Sequence, residues 1–146
     1  MINSITQLIT RDLGRLKKEI NAYTDELLLW KIDKEVKNSG GNLCLHLVGN
    51  LNHYIGHILG NTDYVRNREK EFNAKNIPVD ELSQQLDDTI KVVEQVFATL
   101  SQEDMNSTFP IEVLGYEMTI EYFLIHLSGH INYHLGQISY HRRLVK

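Results

Sequence analysis

His126-Leu-Ser-Gly-His130-Ile-Asn-Tyr-His134-Leu-Gly-Gln-Ile-Ser-Tyr-His141 carries three histidines at four-residue intervals and a fourth seven residues on. An α-helix turns about 100° per residue, so these four side chains fall within an arc of roughly 80°. Ile120, Phe123, Leu127, Ile131, Ile138 and Val145 recur with helical period beside them, and Thr119 is placed to cap the N-terminus. The segment therefore reads as one long helix running almost to the C-terminus. His130 and His134 lie one turn apart, so both rings can reach a single ion, and neutral imidazole is the commonest protein metal ligand.

Three further helical patterns precede it. Residues 4–22 carry Ile5, Leu8, Ile9, Leu13, Leu16 and Ile20 on one stripe, with Ser4 and Gln7 in a capping-box pattern. Asp25-Glu-Leu-Leu-Leu-Trp30 suggests a short helical turn, and Asn38-Ser-Gly-Gly-Asn42 is the clearest breaker. The second long pattern runs from Asn42 to about Val65, and its last turns become highly charged up to Glu71. After a loop around Pro78, Asp80 is placed to cap a third pattern with Leu82, Leu86, Ile90, Val93, Phe97 and Leu100. Residues 101–118 are irregular, with room for a short extended hairpin turning near Gly115. Four long helices and no large sheet predict an all-α four-helix bundle over residues 1–146 as a single domain. An up-down-up-down chain would make the second and fourth helices parallel.

Composition narrows the function. A net charge of −4 with interspersed signs gives no basic footprint for nucleic acid and no polybasic membrane patch. The N-terminus lacks the pattern of a signal peptide, and no stretch approaches the ~20 apolar residues of a membrane span. Cys44 is the only cysteine, which excludes an intrachain disulfide and fits a reducing, cytoplasmic setting. It reads as a small core residue.

The second and fourth patterns resemble each other. Shifted by 80 positions, His46-Leu-Val-Gly49 aligns with His126-Leu-Ser-Gly129, Asn52 with Asn132, Gly56 with Gly136 and Ile58 with Ile138. Internal duplication and convergent packing both account for this. Glycine inside a helix costs ~1 kcal/mol relative to alanine, so the pairs Gly49/Gly56 and Gly129/Gly136 predict close approach of a neighbouring helix. His46, His53 and His57 share one face of the second helix, so all seven histidines sit on two helix faces.

Within the fourth helix, His130 and His134 lie closest to the apolar arc, whereas His126 and His141 suit supporting or rim positions. A catalytic zinc-like site takes three protein ligands and leaves one position open. His46 is the first candidate for the third ligand and His53 the alternative. Asn50 and Gln137 could orient ligands by hydrogen bonding. Three imidazoles suit zinc or nickel.

Asn42-Leu-Cys-Leu-His46-Leu-Val-Gly-Asn50, together with His126-x3-His130-x3-His134-x-Gly-Gln137, resembles the DinB-like superfamily, the damage-inducible and thiol-dependent transferase group of bacterial helical bundles. The resemblance implies a four-helix bundle, often a homodimer. It also implies a divalent metal held by one histidine of the second helix and two of the fourth, here His46, His130 and His134. In such relatives the metal activates a low-molecular-weight thiol, such as bacillithiol or mycothiol, toward an electrophilic small molecule. Many relatives have arginine before the Gly-Gln pair, where this chain has Leu135.

Three functions are therefore expected to compete: a metal-dependent thiol transferase, a metal-dependent hydrolase, and a non-enzymatic stress-response or binding module with a structural or vestigial metal. A general base near the metal would favour hydrolysis, and the only carboxylates this reading brings near the fourth helix are Glu117 and Glu121.

Overall fold

The stripe Ile5, Ile9, Leu13, Leu16 and Ile20 is buried along α1 (Ile2–Asn21), as its period requires, while Leu8 points outward. These contacts come from a computed structural model describing residues 1–146. Each fully buried leucine contributes roughly 1.5–3 kcal/mol. Ser4 lies inside α1 and caps nothing. A 3-10 turn (Glu26–Trp30) then buries Leu29 and Trp30.

Helix α2 (Gly40–Leu51) starts at the predicted breaker, where the Ser39 hydroxyl accepts from the Asn42 amide at 3.1 Å. Every residue of α2 is buried, so it is the central element rather than a one-faced amphipathic helix. From Asn52 to Leu59 it continues as a π-helix. It stops there instead of near Val65, because Gly60 and then Asn61, at φ 56°, turn the chain out of the helix. The charged run becomes an extended segment followed by α3 (Arg68–Asn73).

Helix α4 (Val79–Phe97) buries Leu82, Leu86, Val93 and Phe97. Asp80 is not its cap. The amide of Val79 donates to the carboxylate of Glu26 instead, so the 3-10 turn supplies the capping group from outside. After α5 (Gln102–Asn106), the predicted hairpin reduces to one antiparallel bridge between Thr108 and Thr119, with Phe109 N donating to Met118 O at 2.8 Å. Gly115 takes φ +86° in the loop it closes. Helix α6 (Ile120–Leu144) is capped by Thr119 as expected, its hydroxyl accepting from Tyr122 N.

Side-chain contacts fix the polarities. Lys17 bonds Asp87 and Asn21 bonds Ser83, so α1 and α4 are antiparallel. Asn132 donates to Asp12, and Arg142 meets Glu19 at 2.7 Å, so α1 and α6 are parallel. Asn52 bonds Thr89 and Gly56 faces Val92, so α2 and α4 are parallel. Gly40 lies against His141, His46 against His130, and Tyr54 against Phe123, so α2 and α6 run antiparallel. The expected parallel pairing of these two helices is therefore wrong, and the bundle is up-down-down-up. The reason is the long connection 60–78, which returns the chain to the same end before α4 begins. The histidines still meet because they sit mid-helix in α6, where either polarity brings them within reach of α2. No helix is long and apolar enough to cross a membrane.

Candidate metal centre

His46 lies in the second turn of α2, 6 % exposed, on the side facing α6. His130 and His134 lie half-buried on successive turns of α6. The His130 Nε2 atom is 3.3 Å from His46 Nε2 and 3.1 Å from His134 Nε2. One ligand atom from each of the three rings lies within 4.8 Å of the others.

The outer ring nitrogens explain why the inner ones converge. His46 Nδ1 lies 3.1 Å from Glu71 Oε1, and an ionised carboxylate can only accept, so the proton sits on Nδ1. His134 Nδ1 is likewise 2.7 Å from Gln137 Oε1. Both rings therefore present bare Nε2 lone pairs to His130, whose own Nε2 can carry at most one proton. A proton there can serve only one of the two, so at least one bare Nε2 is left without a donor, which a cation between the rings would satisfy. Two tetrahedral ligands at about 2.05 Å from zinc are about 3.3 Å apart, close to the two nitrogen separations here. The donor set thus fits a divalent metal.

Glu71 is the residue the sequence reading missed. The Asn67 side chain caps α3, and Asn42 ties α3 to α2 by donating to Glu71 O and Ala74 O at 3.0 and 2.9 Å. This places the Glu71 carboxylate directly over Gly49, three residues along α2 from His46, where any β-carbon would collide with it. Arg66 holds both carboxylate oxygens, Nε to Oε2 at 2.9 Å and Nη2 to Oε1 at 3.0 Å. The result is a guanidinium–carboxylate–imidazole chain that fixes the tautomer and direction of His46. Burial opposes ionisation of Glu71, but the hydrogen bonds from His46 and Arg66 outweigh it and hold the carboxyl below its ordinary range. Gly49 itself was the legible signal, but the close approach it permits is that of a side chain from α3. Gly56 does face α4 through Val92, whereas Gly129 and Gly136 are open and have no neighbour.

The other histidines separate from the centre. His53 falls in the π-helical stretch and lies against Tyr54 and His57, with ring centroids 4.8 and 6.1 Å away, so it is not the third member of the cluster. His57 bonds Thr62 O at 2.6 Å. His126 is exposed at the rim, stacked between Phe123 and His130. His141 is buried and structural, joining Tyr23 Oη at 2.7 Å to Lys31 O at 2.8 Å. Gln137 orients His134 as anticipated, and Asn50 bonds no ligand. Burial pushes the Cys44 thiol up to about 12, so it is an inert core group. Leu135 is buried on the α1 side near Arg15, away from the three imidazoles. Glu117 accepts from Thr108 at 3.3 Å and has no contact with the centre.

Burial, and then the neighbouring His134 and His46, depress the His130 pKa to about 4. Burial also lowers that of His134, against the opposing bond from Gln137. An unfolded histidine titrates near 6.5, so between about 6.5 and about 4 the unfolded chain binds more protons than the folded one. Stability of the metal-free protein should therefore be lost as pH falls through that window. Melting temperatures measured from pH 7 to 4 should decline, and His130→Gln should flatten the decline. An unaltered slope in the variant would show that His130 does not contribute.

A family profile of the DinB superfamily matches residues 8–138, a span that includes His46, Glu71, His130 and His134. No curated protein matches the chain.

Proposed function

This chain belongs to the DinB superfamily, and from that premise we propose that His46, His130 and His134 hold one divalent ion, zinc or nickel, for thiol-transfer chemistry. The observation that carries the reading is the convergence of three Nε2 atoms that cannot all find a donor among themselves. When bound, such an ion lowers the pKa of a coordinated thiol or water and so supplies a nucleophile near neutral pH.

The residues around the centre favour a thiol over water. Glu71 is the one carboxylate in contact with a ligand, and both its oxygens are committed to His46 and Arg66. It positions His46 and is not free to take a proton from water. A thiol needs less help from a base. Phe123 and Leu127, buried beside His130, exclude solvent from one side of the centre. Protein purified without an affinity tag should carry about one divalent ion per chain and should consume an electrophile only when a low-molecular-weight thiol is present. Tight metal with no thiol turnover would favour the binding-module reading, and ester or amide cleavage without thiol would favour a hydrolase.

We also propose a homodimer through α6. Tyr122, Ile125, Gly129, Tyr133, Gly136, Tyr140 and Leu144 form one stripe at helical spacing, and its large side chains are 50–66 % exposed. Such an uncovered face, flat at its two glycines, suits a second copy of the same helix. Light scattering at micromolar concentration should give a dimer, and Tyr133→Glu should give a monomer. A monomeric unaltered protein would reject the proposal.

A further inference from the structure

Three side-chain polar atoms are sealed from solvent without a hydrogen bond: Trp30 Nε1, Asn50 Oδ1 and His130 Nδ1. The Trp30 ring packs on Gly41, nine residues before Asn50 on α2 and so about 13 Å away along the helix. The other two share one level of the interface between α2 and α6. The contacts His46–His130 and Tyr54–Phe123, with ring centroids 5.1 and 5.2 Å apart, bracket Asn50 on α2 and set it across from residues 127–130 of the antiparallel α6. Asn50 and His130 also border the same cavity of about 220 Å³. An unpaired polar atom in a sealed site costs on the order of 1–3 kcal/mol, so two at one level call for a common explanation.

Asn50 Oδ1 only accepts, so the two atoms are complementary only when the His130 ring proton sits on Nδ1. A neutral imidazole carries one such proton. Without an ion it is better placed on Nε2, where it meets the bare Nε2 of His46 at 3.3 Å or of His134 at 3.1 Å. Nδ1 is then an acceptor at the level of another acceptor, and neither is satisfied. Binding an ion through Nε2 requires that lone pair, which leaves Nδ1 to carry the proton. We propose that Asn50 is the positioning residue of His130: in the metal-loaded protein His130 Nδ1 donates to Asn50 Oδ1, a bond that forms only with the change of tautomer. One N–H bond breaks at Nε2 and one forms at Nδ1, with no net gain or loss of a proton. The inference rests on the metal reading of the three imidazoles. Each ligand ring then has its own outer acceptor, Glu71 for His46, Gln137 for His134 and Asn50 for His130, and only the first two are engaged beforehand.

Zinc titration of the metal-free protein, with nitrogen-15 spectra of its histidine rings, tests the pairing. Asn50→Leu keeps the volume and removes the acceptor, so zinc should bind about 10- to 100-fold more weakly. Asn50→Asp returns an acceptor and should bind zinc at least about tenfold more tightly than Asn50→Leu. Metal-free Asn50→Leu should melt no lower than the unaltered protein, because the acceptor it loses has no partner in that state. The nitrogen-15 shifts of His130, assigned by comparison with His130→Gln, should place the proton on Nε2 without zinc and on Nδ1 with it. Unchanged zinc affinity in Asn50→Leu, no recovery in Asn50→Asp, a lower melting temperature for metal-free Asn50→Leu, or a His130 proton already on Nδ1 without zinc would overturn the pairing while the metal reading stands. No zinc uptake by the unaltered protein would overturn both.

Discussion

Replacing His130 or His134 with alanine should weaken binding of a divalent ion by about a hundredfold. A structural zinc ion binds with about 10–16 kcal/mol, so one of four ligands is worth about 3 kcal/mol and its loss about a hundredfold in affinity. The loss should be equally severe for His46→Ala, since its Nε2 closes the triangle from α2. His126→Ala should change affinity by less than about threefold, because its ring stacks at the rim and a surface substitution away from the donor set is nearly neutral. Titration of zinc into each metal-free variant checks the set. Unchanged binding in both α6 variants would falsify it, and a loss confined to His126→Ala would move the site outward along α6.

Glu71→Ala should be the most damaging substitution outside the imidazoles, and in two separable ways. Metal affinity should fall by about 10- to 100-fold, the usual effect of removing the partner that orients a ligand histidine. Stability should fall by roughly 3 kcal/mol, because Arg66, only 11 % exposed, is left as an unpaired cation. The double variant Glu71→Ala with Arg66→Met should regain part of the stability by removing that cation, but none of the metal affinity. Chemical denaturation and zinc titration on the same samples distinguish the effects. Recovery of affinity in the double variant would mean that Glu71 acts through Arg66 and not through His46.

The contrast between Glu71 and the histidines shows what the chain made legible. His130 and His134 sit on one uninterrupted helix, where sequence spacing is spatial spacing, so their pairing could be read directly. His46 could be placed on the right face of α2 but not at the right depth. It was preferred to His53 from its position along the helix, and the resemblance agreed; in the structure His53 falls in the π-helical stretch, against Tyr54 and His57. Glu71 was hidden because Tyr64–Glu71 looks like the solvated end of a helix. Its burial depends on the turn at Asn61 and on Asn42 clasping α3, contacts between segments 29 and 32 residues apart. The helices themselves were legible from their apolar period. Their polarity was not, because period carries no information about which end a long connection returns to.

The opposed directions of α2 and α6 carry a consequence for the origin of the cavity. α1 and α4 are antiparallel, as are α2 and α6, so a two-fold rotation across the bundle exchanges the first helix pair with the second. The 80-residue offset agrees with that rotation, since α2 begins at Gly40 and α6 at Ile120. By that offset His46 aligns with His126 and Asn50 with His130, both ahead of the π-helical stretch. His126, Asn50 and Tyr54 all line the cavity. His126 and Asn50 on that wall thus stand, by the offset, where the metal centre has His46 and His130.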